Sequence, residues 1–191
     1  MLTKTKARIV RAGIAAAVAL AVFPAAASAS CDTVVTSKVF ASLGDTNDYF
    51  LAPGGDFEGP LTWATNGPVV QRWTHPALPQ AGSTGLVIGA GGSATSPAIC
   101  ADQLRPALRF GAWAYQGVGS LKVESIEDNG KVVLLGRLAG GDFLSGGATG
   151  LVSFGTLLGL DLDGSKQVRL RLTVESGTWV ADAVYIDPYQ R

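Results

Sequence analysis

One histidine, two cysteines and fifteen carboxylates are the residues of this 191-residue chain that could do chemistry. His75 lies in Trp73-Thr74-His75-Pro76, and no serine sits in the Gly-x-Ser-x-Gly elbow that would hand it a nucleophile. It reads as a surface histidine. Paired carboxylates can cleave a glycosidic bond, and Asp56, Glu58, Asp142, Asp161, Asp163 and Asp182 supply the types, but their spacing sets no two of them across a cleft. The run Asp161-Leu162-Asp163-Gly164 opens like a calcium loop, yet Leu172 stands where the closing glutamate belongs, so a turn is the reading. No catalytic residue is assigned. The chain reads as non-catalytic, with a hydrolase as the alternative.

Cys31 and Cys100 are too far apart, and too poor in companion histidines, for a zinc site. Their pairing depends on the compartment, and the first thirty residues speak to that. Lys4, Lys6, Arg8 and Arg11 precede an apolar Ala- and Val-rich run from Ala12 to Ala27, which ends in the small-x-small exit Ala27-Ser28-Ala29. This order is that of a cleaved export signal, residues 1–29. The run is short for a membrane span, and Pro24 interrupts it. An acylated lipoprotein cysteine at Cys31 would want a branched apolar residue where Ser28 stands. A secreted protein is therefore expected, with no stable membrane insertion after cleavage and with Cys31 and Cys100 joined.

Cleavage removes four of fifteen basic residues and no acidic one, leaving eleven against fifteen, a net charge of −4 on residues 30–191. Nucleic acid and anionic membranes call for a basic excess, so neither is an expected partner. The remaining residues suffice for a single domain with its own core.

The elements that must position any site are strands. Short runs of Val, Leu, Ile and aromatics alternate with Gly-rich turns, and no helical period appears beyond the leader. In Gln167 to Glu175, Val168, Leu170, Leu172 and Val174 alternate with polar residues, so one face is buried and the other wet. Ser120 to Glu127 and Lys131 to Leu138 flank Asp128-Asn129-Gly130, whose Asn-Gly step predicts a tight hairpin. Further strands are expected at Val34 to Ser42, Asp48 to Ala52, Val69 to Thr74, Leu86 to Gly89, Thr95 to Cys100, Ala107 to Tyr115, Leu151 to Phe154 and Trp179 to Asp187. His75 to Gly85 and Ala139 to Gly150 are Gly-, Pro- and Ser-rich and read as rim loops, either functional or merely connecting.

Along Ala107 to Tyr115, Leu108, Phe110, Ala112 and Ala114 form one set and Arg109, Trp113 and Tyr115 the other. With the first set inward, the second would offer ring faces for stacking on sugars and a guanidinium for hydroxyls. The competing reading places Trp113 and Tyr115 under a long loop or in a second core layer.

Two segments carry a family resemblance: Leu51-Ala52-Pro53-Gly54-Gly55-Asp56-Phe57-Glu58-Gly59-Pro60-Leu61-Thr62-Trp63, and Trp179-Val180-Ala181-Asp182-Ala183-Val184-Tyr185-Ile186-Asp187-Pro188. They resemble the opening and closing signatures of galactose-binding-like jelly-roll modules, the fold of many carbohydrate-binding modules, and look like those of small secreted actinobacterial proteins without assigned function. Gly54 replaces the family's Asn, and Ala183 the second Asp of its closing pair. The resemblance implies an all-β jelly-roll sandwich whose chain ends lie side by side, with Trp63 and Trp179 in the core. It also implies a structural Ca2+ held by Glu58, Asp182 and backbone carbonyls. Alternation leaves Asp182 open: if Val180, Val184 and Ile186 face the core it is buried, and if Trp179, Ala181, Ala183 and Tyr185 do it is solvated. Arg109 or Arg169 could equally serve as its counter-charge. The expected function is glycan binding, with a structural envelope protein as the alternative.

The paired cysteines give the first test. A Cys31–Cys100 bond would close a loop of about 70 residues, worth about 4 kcal/mol in the chain-entropy model. The secreted protein is expected to show no thiol that alkylates without prior reduction; two alkylatable thiols would refute the pairing.

Overall fold

The structure is a computed structural model that describes residues 34–73, 82–101, 107–140, 147–148, 152–153 and 166–187. Among the described residues eleven antiparallel strands form an all-β sandwich of the jelly-roll kind. Two of them are much longer than the alternation predicts: β7 (Ala107–Glu127) and β11 (Lys166–Asp187) pair along their lengths, from Asp187 opposite Ala107 to Val168 opposite Glu127. Each runs through a glycine-bearing stretch where the sequence reads as two strands.

β11 takes short partners in succession along its other edge: β6 (Ile99–Ala101), β5 (Ser93–Thr95), β4 (Thr84–Gly89) and β1 (Phe50–Leu51). Outside these lie β2 (Ala64–Asn66) on β5 and β3 (Val69–Trp73) on β4. β7 pairs on its far side with β8 (Val132–Ala139), β9 (Gly147–Ala148) and β10 (Val152–Ser153). The strand expected at Val34 to Ser42 does not form: a single bridge joins Ser37 to Tyr49, and Ala41–Leu43 make a 3-10 turn. No helix among the described residues is long and apolar enough to cross a membrane.

The β7–β11 ladder turns its corner at Gly119 and Gly177, where the register shifts. Gly119 has φ 124° and Gly177 φ 76°, and a Cβ on either would lie 2.3 Å from Ser176 O or 2.5 Å from Val118 O, respectively. Glycine there admits both the backbone angle and the close approach. On either side of the corner the strands feed one core. Leu121, Val123, Val168, Leu170, Leu172 and Val174 meet Leu108, Phe110, Ala112, Ala114, Trp179 and Ile186. Trp63 and Trp179 are both buried.

A second irregularity lies between Asp182 and Tyr185, where Ala183 takes φ 52°. The inserted residue inverts the alternation. Trp179 and Ala181 face the core before it, Val184 and Ile186 after it, so strict alternation fails on both sides of the question about Asp182. The first strand and the last do lie together. Phe50 is opposite Ile186, Ala52 N donates to Val184 O, and Val184 N donates to Gly55 O, both at 2.9 Å.

The hairpin at Asp128-Asn129-Gly130 forms as a three-residue loop. Only Gly130 has positive φ, and Gly130 N donates to Glu127 O at 2.8 Å while Glu127 N donates to Lys131 O at 2.9 Å. That is a type I turn closed by a glycine bulge, where a two-residue turn would need both central residues at positive φ.

The corner and the hairpin tip make a matched pair of tests. Gly130 also has φ 82°, but a Cβ there would meet nothing within 4 Å. Gly130→Ala should cost only the left-handed backbone penalty, about 1–3 kcal/mol. Gly177→Ala adds the collision and should be clearly worse by urea denaturation; equal losses would mean the corner tolerates a side chain.

Candidate functional site

On the amino-terminal half of β7 the alternation holds. Leu108, Phe110, Ala112 and Ala114 are buried in the core, and the opposite face carries Arg109, Gly111, Trp113 and Tyr115. Tyr115 is 56% exposed and Trp113 half-buried. Strand register sets Trp113 in one row with Val180 of β11, Val87 of β4 and Val70 of β3. Val180 and Val87 are buried and Val70 is exposed. Trp113 thus belongs to an apolar strip across four strands, and Tyr115 stands beyond it, nearer solvent.

Arg109 is on the same face but is not part of that exposed surface. It is opposite Tyr185, where residues preceding β1 lie over the sheet. Its Nη1 donates to Asp45 Oδ2, and its guanidinium carbon is 4.9 Å from the centre of the Phe40 ring. Phe40, Tyr49 and Ala183 form a second small core with Val39 and Tyr185, in which Phe40 meets both tyrosines edge-on. The Tyr49 hydroxyl donates to Asp45 Oδ2 at 2.5 Å, and Asn47 N to Asp45 Oδ1 at 3.0 Å. Burial pushes the Asp45 carboxyl up, but these donors and Arg109 outweigh it and hold it below the usual range. Burial, then the Asp45 carboxylate, pushes the Tyr49 phenol well above its ordinary value. Arg109 is therefore a positioning residue that fastens the amino-terminal arm.

The two expected calcium ligands have the following surroundings. Glu58 Oε1 accepts the amides of Ser83 at 2.7 Å and Thr84 at 2.6 Å, capping the start of β4. The ladder between β4 and β11 ends at Leu86–Ala181, so the carboxylate serves amides beyond the paired stretch. Asp182 is fully buried opposite Gly111, and its Oδ1 accepts the Ala183 amide at 2.7 Å. Burial raises the Tyr185 phenol, and the nearby Asp56 and Asp182 raise it further, so these two carboxylates share the neighbourhood of the bulge. Calcium takes six to eight oxygens, many of them carbonyls. The carboxylates of Glu58 and Asp182 are hard oxygen donors of the type calcium takes. Among the described residues no group of three or more His, Cys, Asp or Glu is placed to hold a metal.

Cys31, His75, Asp142, Asp161 and Asp163 lie outside the described residues, as does the side chain of Cys100. Asp45 and Phe40, which decide where Arg109 points, escaped the sequence reading. Phe40 falls in the strand expected at Val34 to Ser42, which does not form, Asp45 falls in no expected element, and Arg109 is 64 residues from Asp45.

No family model matches the chain, and no curated protein sequence matches it. Among solved structures it is similar to the C-terminal family 6 carbohydrate-binding module of a marine laminarinase from Zobellia galactanivorans, with 16% identity and TM-score 0.44 over 66% of this chain and 93% of that one. It is also similar to the family 11 module of a cellulosomal cellulase of Clostridium thermocellum, at 15% identity and TM-score 0.43 over 72% and 94%. A third is a family 22 xylan-binding domain from Paenibacillus barcinonensis, at 13% identity and TM-score 0.45 over 71% and 92%. At these identities the likeness is one of fold.

Proposed function

We propose that the chain is an exported, non-catalytic β-sandwich that binds a glycan through Tyr115, with Trp113 beside it. The observation that carries this reading is the 56% exposure of Tyr115 next to a half-buried tryptophan on one strand face. Tyr115 is the one aromatic among the exposed large hydrophobic residues of the described chain. Apolar area marks a partner surface when it is contiguous, and the half-buried Trp113 beside Tyr115 extends the ring area. A phenol offers a sugar both an apolar face and a hydroxyl. Two residues along a strand put the rings about 7 Å apart on one side, close enough for one oligosaccharide to touch both.

The proposal includes the calcium ion implied by the resemblance, held by Glu58 and Asp182 with backbone carbonyls of the adjoining turn. When bound it would tie the first strand to the last. Its support is a fully buried Asp182 on the last strand near its pairing with the first, where Asp56 and Asp182 both raise the Tyr185 phenol.

On an immobilised polysaccharide panel, Tyr115→Ala should lose retention while melting within a degree or two of the wild type. Trp113→Ala should lose retention with a moderate stability loss, below the roughly 3–5 kcal/mol of a fully buried tryptophan. Undiminished retention in Tyr115→Ala would refute the site. For the ion, chelator should lower the melting temperature of the wild type and leave that of Glu58→Ala unchanged, because a ligand bound only by the native state stabilises by mass action. Identical wild-type melts with and without chelator would remove the calcium.

A further inference from the structure

The net negative charge of the mature chain conceals a face with the opposite sign. Beyond the glycine corner, Leu121, Val123, Leu170, Leu172 and Val174 point into the core, so the residues between them point out. Register aligns these into cross-strand rows spanning β2, β5, β11, β7 and β8. One row reads Ala64, Thr95, Arg171, Glu124, Leu134, and the next reads Asn66, Ser93, Thr173, Lys122, Arg137. A third places Arg169 opposite Ile126, itself opposite Val132. The face is about 19 Å wide at the usual strand spacing.

Its cations are held in place. Glu124 receives Arg171 Nε at 2.9 Å on Oε2 and Lys122 Nζ at 3.1 Å on Oε1. Glu175 receives Arg137 through Nε and Nη2, at 3.1 and 3.2 Å, and the Ser120 hydroxyl at 3.0 Å. Both glutamates sit below the ordinary carboxylate range. Glu124 does so against the upward push of burial, because Arg171 and Lys122 outweigh it, and for Glu175 the Arg137 hydrogen bond leads. Arg169 is exposed and has no carboxylate partner among the described residues. Four cations against two carboxylates leave this face two positive charges in surplus. Elsewhere the described side chains number four cations against eight carboxylates. Charge is thus sorted, and each bracing carboxylate restrains cations that carry more donor protons than it accepts.

We infer that this face is a second ligand surface, separate from Tyr115, that takes an acidic polysaccharide: a linear glycan bearing carboxylates or sulfates. Arg169 supplies the unopposed charge, Arg137 and Arg171 supply spare guanidinium protons suited to planar oxyanions, and Ser93, Thr95, Thr173 and Asn66 line the path with hydroxyl and amide groups. A nucleic acid would carry enough charge, but single strands are held largely by base stacking, and among the described residues this face exposes no aromatic.

Affinity electrophoresis of the mature protein in gels containing polygalacturonate, dextran sulfate or neutral dextran tests the inference, with single-stranded oligothymidylate as competitor. Retardation is expected in one or both acidic gels, with the responding gel identifying the anion, and none in neutral dextran. Moving from about 0.1 M to about 1 M salt should abolish it, since the Debye length falls from about 10 to about 3 Å. Arg169→Ala should weaken retention about two- to fivefold and Arg169→Glu further, as expected for one exposed charge. Both should melt like the wild type, because Arg169 makes no ion pair among the described residues. Tyr115→Ala should retain the acidic gels fully, which separates this face from the proposed aromatic site. Absence of retardation in both acidic gels, equal retardation in neutral dextran, indifference to Arg169→Glu, or preferential capture of the oligonucleotide would each overturn it.

Discussion

Two strands of more than twenty residues each run antiparallel through the whole sandwich, and they can do so only because their backbones touch at one point. At Gly119 and Gly177 the strands approach so closely that a Cβ on either would sit well inside van der Waals contact distance of the other strand's carbonyl. The ladder survives that crossing with a shift of register, so one continuous pairing serves both halves of the core. Every shorter strand except β2, β3 and the hairpin partners of β7 hangs directly on β11. Faces, rows and edges elsewhere inherit their positions from that pair.

The second irregularity of β11 has more local consequences. By admitting one extra residue at Ala183, the strand brings Trp179, Ala181, Val184 and Ile186 to the same core, although no strict alternation could. It also turns Ala183 and Tyr185 toward the opposite face, where Phe40 and Tyr49 close over them. That small apolar contact brings Asp45 within reach of Arg109, and the ion pair is largely withdrawn from water, with side chains 17% and 14% exposed. An arginine that alternation places beside two aromatics thereby becomes a fastener for the arm. Tyr115, six residues along the strand, stays in solvent.

Electrostatics follow the same geometry. The acidic residues gather where the chain ends meet, around Asp45, Asp48, Asp56, Asp182 and Asp187, while the outward rows beyond the glycine corner carry more cations than carboxylates. A composition-level charge cannot express that separation, because it averages over faces that a ligand meets one at a time. Excluding polyanionic partners on net charge alone is valid only for a uniformly charged surface.

Local chemistry read from the sequence determined much of the framework: strands in place of helices, the wet face of Gln167 to Glu175, the inward set Leu108, Phe110, Ala112 and Ala114, and a turn at Asn129-Gly130. Each of these rests on a period of two or on a turn residue's own backbone preference, information contained within a few neighbouring residues. The tertiary structure alone decided that glycines at 119 and 177 would carry strands onward instead of ending them, that Asp182 would be buried next to a bulge, and that Asp45 would claim Arg109. It also decided which cations share a face, since Lys122, Arg137 and Arg171 become neighbours only once three strands are in register. A glycine's sequence context is the same whether it closes a turn or admits a crossing backbone. The difference lies in the partner strand, more than fifty residues away along the chain, and only folding brings that partner near.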